Sequence, residues 1–217
     1  MRPFHHARAS AAQSGRDWRD DLEVHEFLDS SKAAFADLRH RMILHSVDLG
    51  AELAARAFPA RSDVRDIVRR HVIEDIGEPR TLPDWLGHCN VARLPRAHPS
   101  ALPIQLQDLV ERERSRQKLA HDDGPASVLE ILRLPLIMAP DFGDVAWCVL
   151  GNTLGVSLVR RILGPARELS GARGLPVIFD PAWCAEAMIC TIFRTIPDLR
   201  SVVTTLRTPH LELAHVG

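Results

Sequence analysis

His71 and Asp75 stand four residues apart in VRDIVRRHVIEDI, where the apolar residues Val64, Ile67, Val68 and Val72 recur at helical spacing. On a helix of 3.6 residues per turn, both polar residues fall within about 20° of the centre of that apolar face. An imidazole and a carboxylate one turn apart touch each other or share a ligand. A buried aspartate left without a partner costs roughly 2 kcal/mol or more. The position therefore demands His71, an arginine, another histidine or a metal beside it. His45 repeats the pattern upstream. In a segment patterned by Phe35, Leu38, Met42, Leu49 and Leu53 it lies inside the apolar stripe. Asp37, Arg41 and His45 follow one another at steps of four, which suits an ion pair beside an imidazole.

Two chemistries fit these residues. In one, His45, His71 and Asp75 give nitrogen and oxygen ligands to a divalent metal between two helices, a donor set suited to zinc, iron or manganese. His25 or Glu74 would complete the set. His40 is a further candidate, although on one straight helix it would face away from His45. Such a centre could activate a water for hydrolysis of a phosphorylated or nucleotide-like substrate. Glu74 would be the candidate base, and Lys32, Arg39 and Arg41 the anion contacts. In the other, the same His, Asp and Arg residues form a buried hydrogen-bond network in a non-catalytic interaction or structural module. The sequence leaves open whether the protein is an enzyme. No GxSxG, Walker loop, helix-opening GxGxxG or HExxH occurs.

The elements that must carry these groups are helical. Asp20 or Asp21 is the expected cap of a short helix over LEVHEFLD. Ser30 or Ser31 would open a long one from Lys32 to about Phe58, stopped by Pro59. Asp63 would open a third, ending at Gly77, and Thr81 a fourth with Pro83 in its first turn. The adjacent His5 and His6 read as part of a solvated N-terminal segment. A Pro-rich stretch, ARLPRAHPSALP, then interrupts the pattern. The expected organisation is a His-rich, small bundle-like helical domain over 1–91, a linker over 92–104 and a mostly helical region over 105–217. The class is mainly α. In the last region a charged helix is expected over QLQDLVERERSRQKLA, and another from Ser127 to Leu134. A short strand PVIF leads into an amphipathic helix over 181–196.

The chain has 217 residues, with 27 Lys and Arg against 28 Asp and Glu, a net charge of −1. That balance argues against nucleic-acid binding by bulk charge. The uncharged run VAWCVLGNTLGVSLV is too short for a bilayer span and reads as one buried core helix. Four cysteines with no CxxC pair, and no apolar leader, fit a reducing cytoplasm with free buried thiols. The region after the linker is left as a candidate surface for a protein partner.

The words FHHA (4–7), VHEFLDSSKA (24–33), ADLRHRMILH (36–45), HVIEDIG (71–77) and DWL (84–86) occur in that order. They resemble a family of short bacterial and phage proteins known as a domain of unknown function. Phe4, Phe27 and Leu38 replace that family's usual Tyr, Trp and Phe. The resemblance covers residues 4–87 and stops before the linker. It marks His6, His25, Lys32, Asp37, Arg39, His40, Arg41, His45, His71, Glu74, Asp75 and Gly77 as motif positions and implies no reaction.

Overall fold

The computed structural model describes residues 2–33, 38–97, 106–121 and 123–205. Phe35 and Asp37, the side chain of Leu38, much of the expected linker, and His98, His210 and His215 lie outside the described residues. The fold is mainly α, with one two-stranded antiparallel sheet among the described residues. The described residues form two compact units, 2–93 with 203–205, and 94–202.

The first unit begins with a helix that the sequence reading did not anticipate. Pro3–Ser14 is α1, with Pro3 in the first turn and Gly15 closing the last. The expected solvated N-terminal segment is thus an ordered helix, and His6 is fully buried. Its signals were a proline start, an alanine-rich body and a glycine stop. Trp18–Leu28 is α2, capped by Asp17 rather than by Asp20 or Asp21; the Asp17 carboxylate accepts from the Arg19 amide at 3.0 Å. A 3₁₀ turn over Asp29–Ala33 follows.

The expected long helix from 32 to 58 does not exist. In its place stand a 3₁₀ turn at Leu38–His40, a single α turn at Arg41–Leu44 (α3) and a separate helix at Leu49–Ala57 (α4). The break has a local cause. Asp48 turns its carboxylate onto the amides of Leu49 and Leu82, and Ser46 Oγ accepts from the Gly50 amide. The Val47 amide donates to Arg80 O, and Trp85 Nε1 donates to His45 O at 2.9 Å. Gly50 lets the new helix sit against the carbonyl that ends the old one, since a Cβ there would lie 2.2 Å from Leu44 O. Val64–Ile76 is α5 and ends at Gly77, as the sequence suggests. Leu82–Gly87 is α6; Thr81 and Asp84 form a reciprocal capping box at its start.

Packing follows the apolar stripes. α5 lies against α1, α2 and α4, and α1 lies along α2. Val24, Phe27, Met42, Leu53, Ile67, Val68, Val72 and Trp85 are essentially excluded from solvent. Each such side chain contributes on the order of 2 kcal/mol by burial.

The second unit holds α7 (Leu106–Arg116), α8 (Asp123–Leu132), α9 (Leu134–Met138), α10 (Thr153–Leu163), α11 (Pro181–Phe193) and α12 (Leu199–Val203, whose last residue belongs to the first unit). α8 packs against α7, α10 and α11. Strands β1 (Arg167–Ser170) and β2 (Pro176–Phe179) form a hairpin joined through residues 171–175. The uncharged run at 145–159 is not one core helix. A 3₁₀ segment over Pro140–Val149 gives way to α10, and the two are bent by 84°. Asn152 makes the break: its side chain accepts from the Leu154 and Gly155 amides and donates to Cys148 O and Val149 O. Gly155 repeats the role of Gly50, with Leu150 O where a Cβ would stand. No single described helix is long and apolar enough to cross a membrane; this bent pair meets the length and composition requirement only jointly. Cys89, Cys148 and Cys184 are free and buried as expected, whereas Cys190 is exposed.

Candidate metal centre

Four elements of the first unit bring their polar groups to one buried point. α2 and the turn after it carry His25 and Asp29, one helical turn apart. The break after α3 carries His45. α5 carries His71 and Asp75, and α1 covers them with His6 and Ser10. Asp29, His45, His71 and Asp75 each present one ligand atom within 4.8 Å of all the others, and all four residues are buried.

The distances suit a small cation. His45 Nε2 lies 2.9 Å from His71 Nε2, 3.1 Å from Asp75 Oδ2 and 3.5 Å from Asp29 Oδ1. His71 Nε2 lies 3.8 Å from Asp29 Oδ1 and 3.9 Å from Asp75 Oδ2. These values bracket about 3.4 Å, the edge of a tetrahedron whose metal–ligand bonds are about 2.1 Å. Asp29 Oδ2 and His45 Nδ1 are buried and have no hydrogen-bond partner among the described residues. A buried carboxylate beside two imidazoles, with one of its oxygens unpartnered, is a donor set that can take a cation.

A consistent set of protons can be assigned to the rings. His71 Nδ1–H donates to His25 Nδ1 at 2.8 Å, and His25 Nε2–H donates to Ser10 Oγ at 3.3 Å. His45 Nε2–H donates to Asp75. The lone pair of His71 Nε2 then faces the cluster, oriented by His25 from behind, the usual way an outer imidazole or carboxylate fixes a ligating ring.

Electrostatics agree with neutral His25 and His71 rings and ionised carboxylates. Burial and the nearby charge of His6 push His25 down to about 4. Burial, with His45, His6 and His25 around it, holds His71 well below its ordinary value. For Asp75, burial favours the neutral acid, but hydrogen bonds from His45 and His6 and the charges of His45 and Arg41 outweigh it and keep the carboxyl well below the usual range. Asp29 is lowered likewise: burial opposes, and His45 and Lys32 prevail. His6 moves the other way. Burial disfavours its cation, but hydrogen bonds to Asp75 and Glu74 raise it.

The remaining motif residues surround this core. His6 bridges Glu74 Oε2 at 2.7 Å and Asp75 Oδ1 at 3.1 Å. Glu74 is thus held by His6 at the edge of the cluster. Lys32 Nζ lies 2.6 Å from Asp29 Oδ1; Arg41 Nη2 lies 3.2 Å from Asp75 Oδ2, and its Nη1 donates to Asp75 O. Two of the three cations expected as anion contacts, Lys32 and Arg41, therefore neutralise the cluster's own carboxylates. Arg39 is half-buried in the turn before α3. The His40 ring packs edge-on against His45 with centroids 5.4 Å apart, a closeness that only the broken helix allows. Sequence reasoning missed Asp29 as a member of the cluster and His6 as a buried neighbour. The four-residue step from His25 to Asp29 was the available signal for the first, and the helical start at Pro3 for the second.

The helical fold and the buried His/Asp cluster define a small α domain able to hold a metal ion. Residues 1–94 match the family model described as Domain of unknown function (DUF6915), in agreement with the resemblance carried by the motif words. No curated protein and no solved structure matches the chain.

Proposed function

We propose that residues 1–94 form a divalent-metal-binding domain in which Asp29, His45, His71 and Asp75 are the four ligands. The observation that carries this reading is the convergence of two imidazole nitrogens and two carboxylate oxygens within 4.8 Å at a buried point. The mixed nitrogen and oxygen set, with near-tetrahedral spacing, favours zinc, with iron and manganese as alternatives. Burial of all four ligands supports a closed structural centre more than a hydrolytic one, which keeps a coordination position open to water and substrate. The use of Lys32 and Arg41 as counter-ions to the ligands points the same way.

The second reading is a metal-free hydrogen-bond network that fixes helix packing. It draws on the 2.9 Å His45–His71 contact, an ordinary hydrogen-bond length. Metal analysis of the purified chain after dialysis, with melting curves with and without chelator, separates the two. The metal reading expects one bound ion per chain and a chelator-induced fall in melting temperature that is absent in His71→Ala. An ion present at 100 times its dissociation constant stabilises by about 2.7 kcal/mol. Metal-free protein whose melting ignores both chelator and added zinc overturns it.

A further inference from the structure

A second site lies in the other unit. α7 and α11 border a surface groove of about 420 Å³, within the roughly 300–1,000 Å³ range of small-molecule sites. Arg112 and Arg116 stand one turn apart on α7, while Glu186, Cys190 and Arg194 follow one another at steps of four along α11 and its end. Three guanidinium groups thus meet a single carboxylate in the lining.

Two of the arginines are set in ways that packing alone does not require. The Arg116 guanidinium lies 4.1 Å from the centroid of the half-exposed Trp183 ring, and its Nε faces Glu113 at 3.3 Å. Stacking and ion pair hold the plane of the group and leave its Nη atoms to a ligand. Arg194 caps α11 in the left-handed region, at φ 68° and ψ −22°. Glycine or asparagine fills such a cap with little strain, whereas an arginine there is strained. The Arg194 side chain lines the groove. Arg112, exposed on α7, has no ion pair among the described residues.

We propose that this groove binds a small phosphorylated ligand. The phosphoryl oxygens are received by the planar donor forks of Arg112, Arg116 and Arg194, the geometry in which guanidinium recognises phosphate. Glu186, the carboxylate in the lining, accepts a hydrogen bond from a hydroxyl or amino group where the ligand carries one, while the three guanidinium groups suffice to hold the phosphoryl oxygens. This site is independent of the metal centre and stands or falls separately from it.

Cys190 supplies the readout, because it lies in the groove and the other three cysteines are buried. The full-length protein is treated with a thiol reagent over a range of inorganic pyrophosphate, with chloride at matched ionic strength as control. Pyrophosphate is expected to slow Cys190 alkylation saturably, and chloride is not. Arg194→Gly is expected to keep or raise the melting temperature while raising the half-protecting concentration about tenfold, the loss of one charged hydrogen bond. Arg112→Ala, on an exposed helix face, is expected to weaken protection to a similar extent without unfolding the chain. Protection no better than in chloride overturns the proposal. So does an Arg194→Gly protein with unchanged half-protection, and so does protection by a single-stranded oligonucleotide but not by pyrophosphate.

Discussion

His71 uses both ring nitrogens, one toward His25 and one toward His45 and the carboxylates. Its environment admits only the neutral ring, and the same holds for His25. This gives the metal-free protein a definite acid limb. Both folded values lie below the unfolded value of 6.5, so below that pH the unfolded chain binds more protons than the folded one, and stability falls with falling pH. For His25 the loss runs from 6.5 down to about 4 and amounts to on the order of 3 kcal/mol. His6, raised by Glu74 and Asp75, adds no slope below 6.5, because it is protonated in both states there; its contribution is lost only as pH rises through its folded value. The carboxylates Asp29 and Asp75, lowered in the fold, hold their contribution above the ordinary aspartate range and lose it only in stronger acid. Urea midpoints in chelator at pH 6.5 and 4.5 should therefore differ strongly in wild type. His25→Gln should flatten that difference by the share of one ring; an equal pH dependence in the variant would place the titrating group elsewhere. Asp29→Asn, which keeps the size but removes the charge of the carboxylate, should weaken zinc binding at least tenfold, readable by competition with a zinc dye.

At the scale of elements, the centre depends on the break between α3 and α4. His45 reaches His71 because the chain leaves the helix at 45 and is clamped by Asp48, Arg80 and Trp85. Gly50→Ala should destabilise the unit by about 2–3 kcal/mol, since the methyl meets a backbone carbonyl that cannot swing away. Asp48→Ala removes the acceptor for two amides and should cost about 1–2 kcal/mol. Both variants should lose metal affinity beyond what their stability loss explains, because they release the segment that aims His45; zinc titration of each at a temperature where it stays folded checks this. The same break marks where the sequence stopped being legible. α5, α6 and the meeting of His71 with Asp75 followed from periodicity and end signals confined to one helix. The stripe places His45 toward the cluster on a continuous helix, whereas Ser46, Asp48 and Gly50 interrupt that helix and the break itself aims His45. Periodicity of Met42, Leu49 and Leu53 survives an interruption of this kind, so the pattern alone cannot reveal it. His6 and Asp29 were missed because their place depends on how α1 and the turn after α2 pack on α5, a long-range outcome that no local spacing encodes. Asn152 and Gly155 misled the reading of the uncharged run in the same way.

At the scale of the whole molecule, the two units have separate cores. The His/Asp cluster belongs wholly to one and the arginine groove wholly to the other. A ligand that binds only the folded form stabilises the cooperative unit that contains its site. Metal should therefore act locally. In amide hydrogen exchange of the full chain, added zinc should slow exchange in α2, α3 and α5, the elements that supply or adjoin the four ligands, and in α1, whose His6 and Ser10 lie against them. Exchange in α8, α10 and α11 should stay unchanged. Under the network reading no region responds to zinc at all. Protection rising equally in both units would mean that the chain opens as one cooperative body, and the local account of the metal's effect would then be wrong even if the ion is bound. Pyrophosphate provides the complementary measurement. It should slow exchange near the C-terminal ends of α7 and α11, where Arg116 and Arg194 sit, and leave α5 unchanged. Two ligands with non-overlapping footprints on one chain would establish that the motif words of the first 94 residues and the arginines of α7 and α11 carry separate binding tasks.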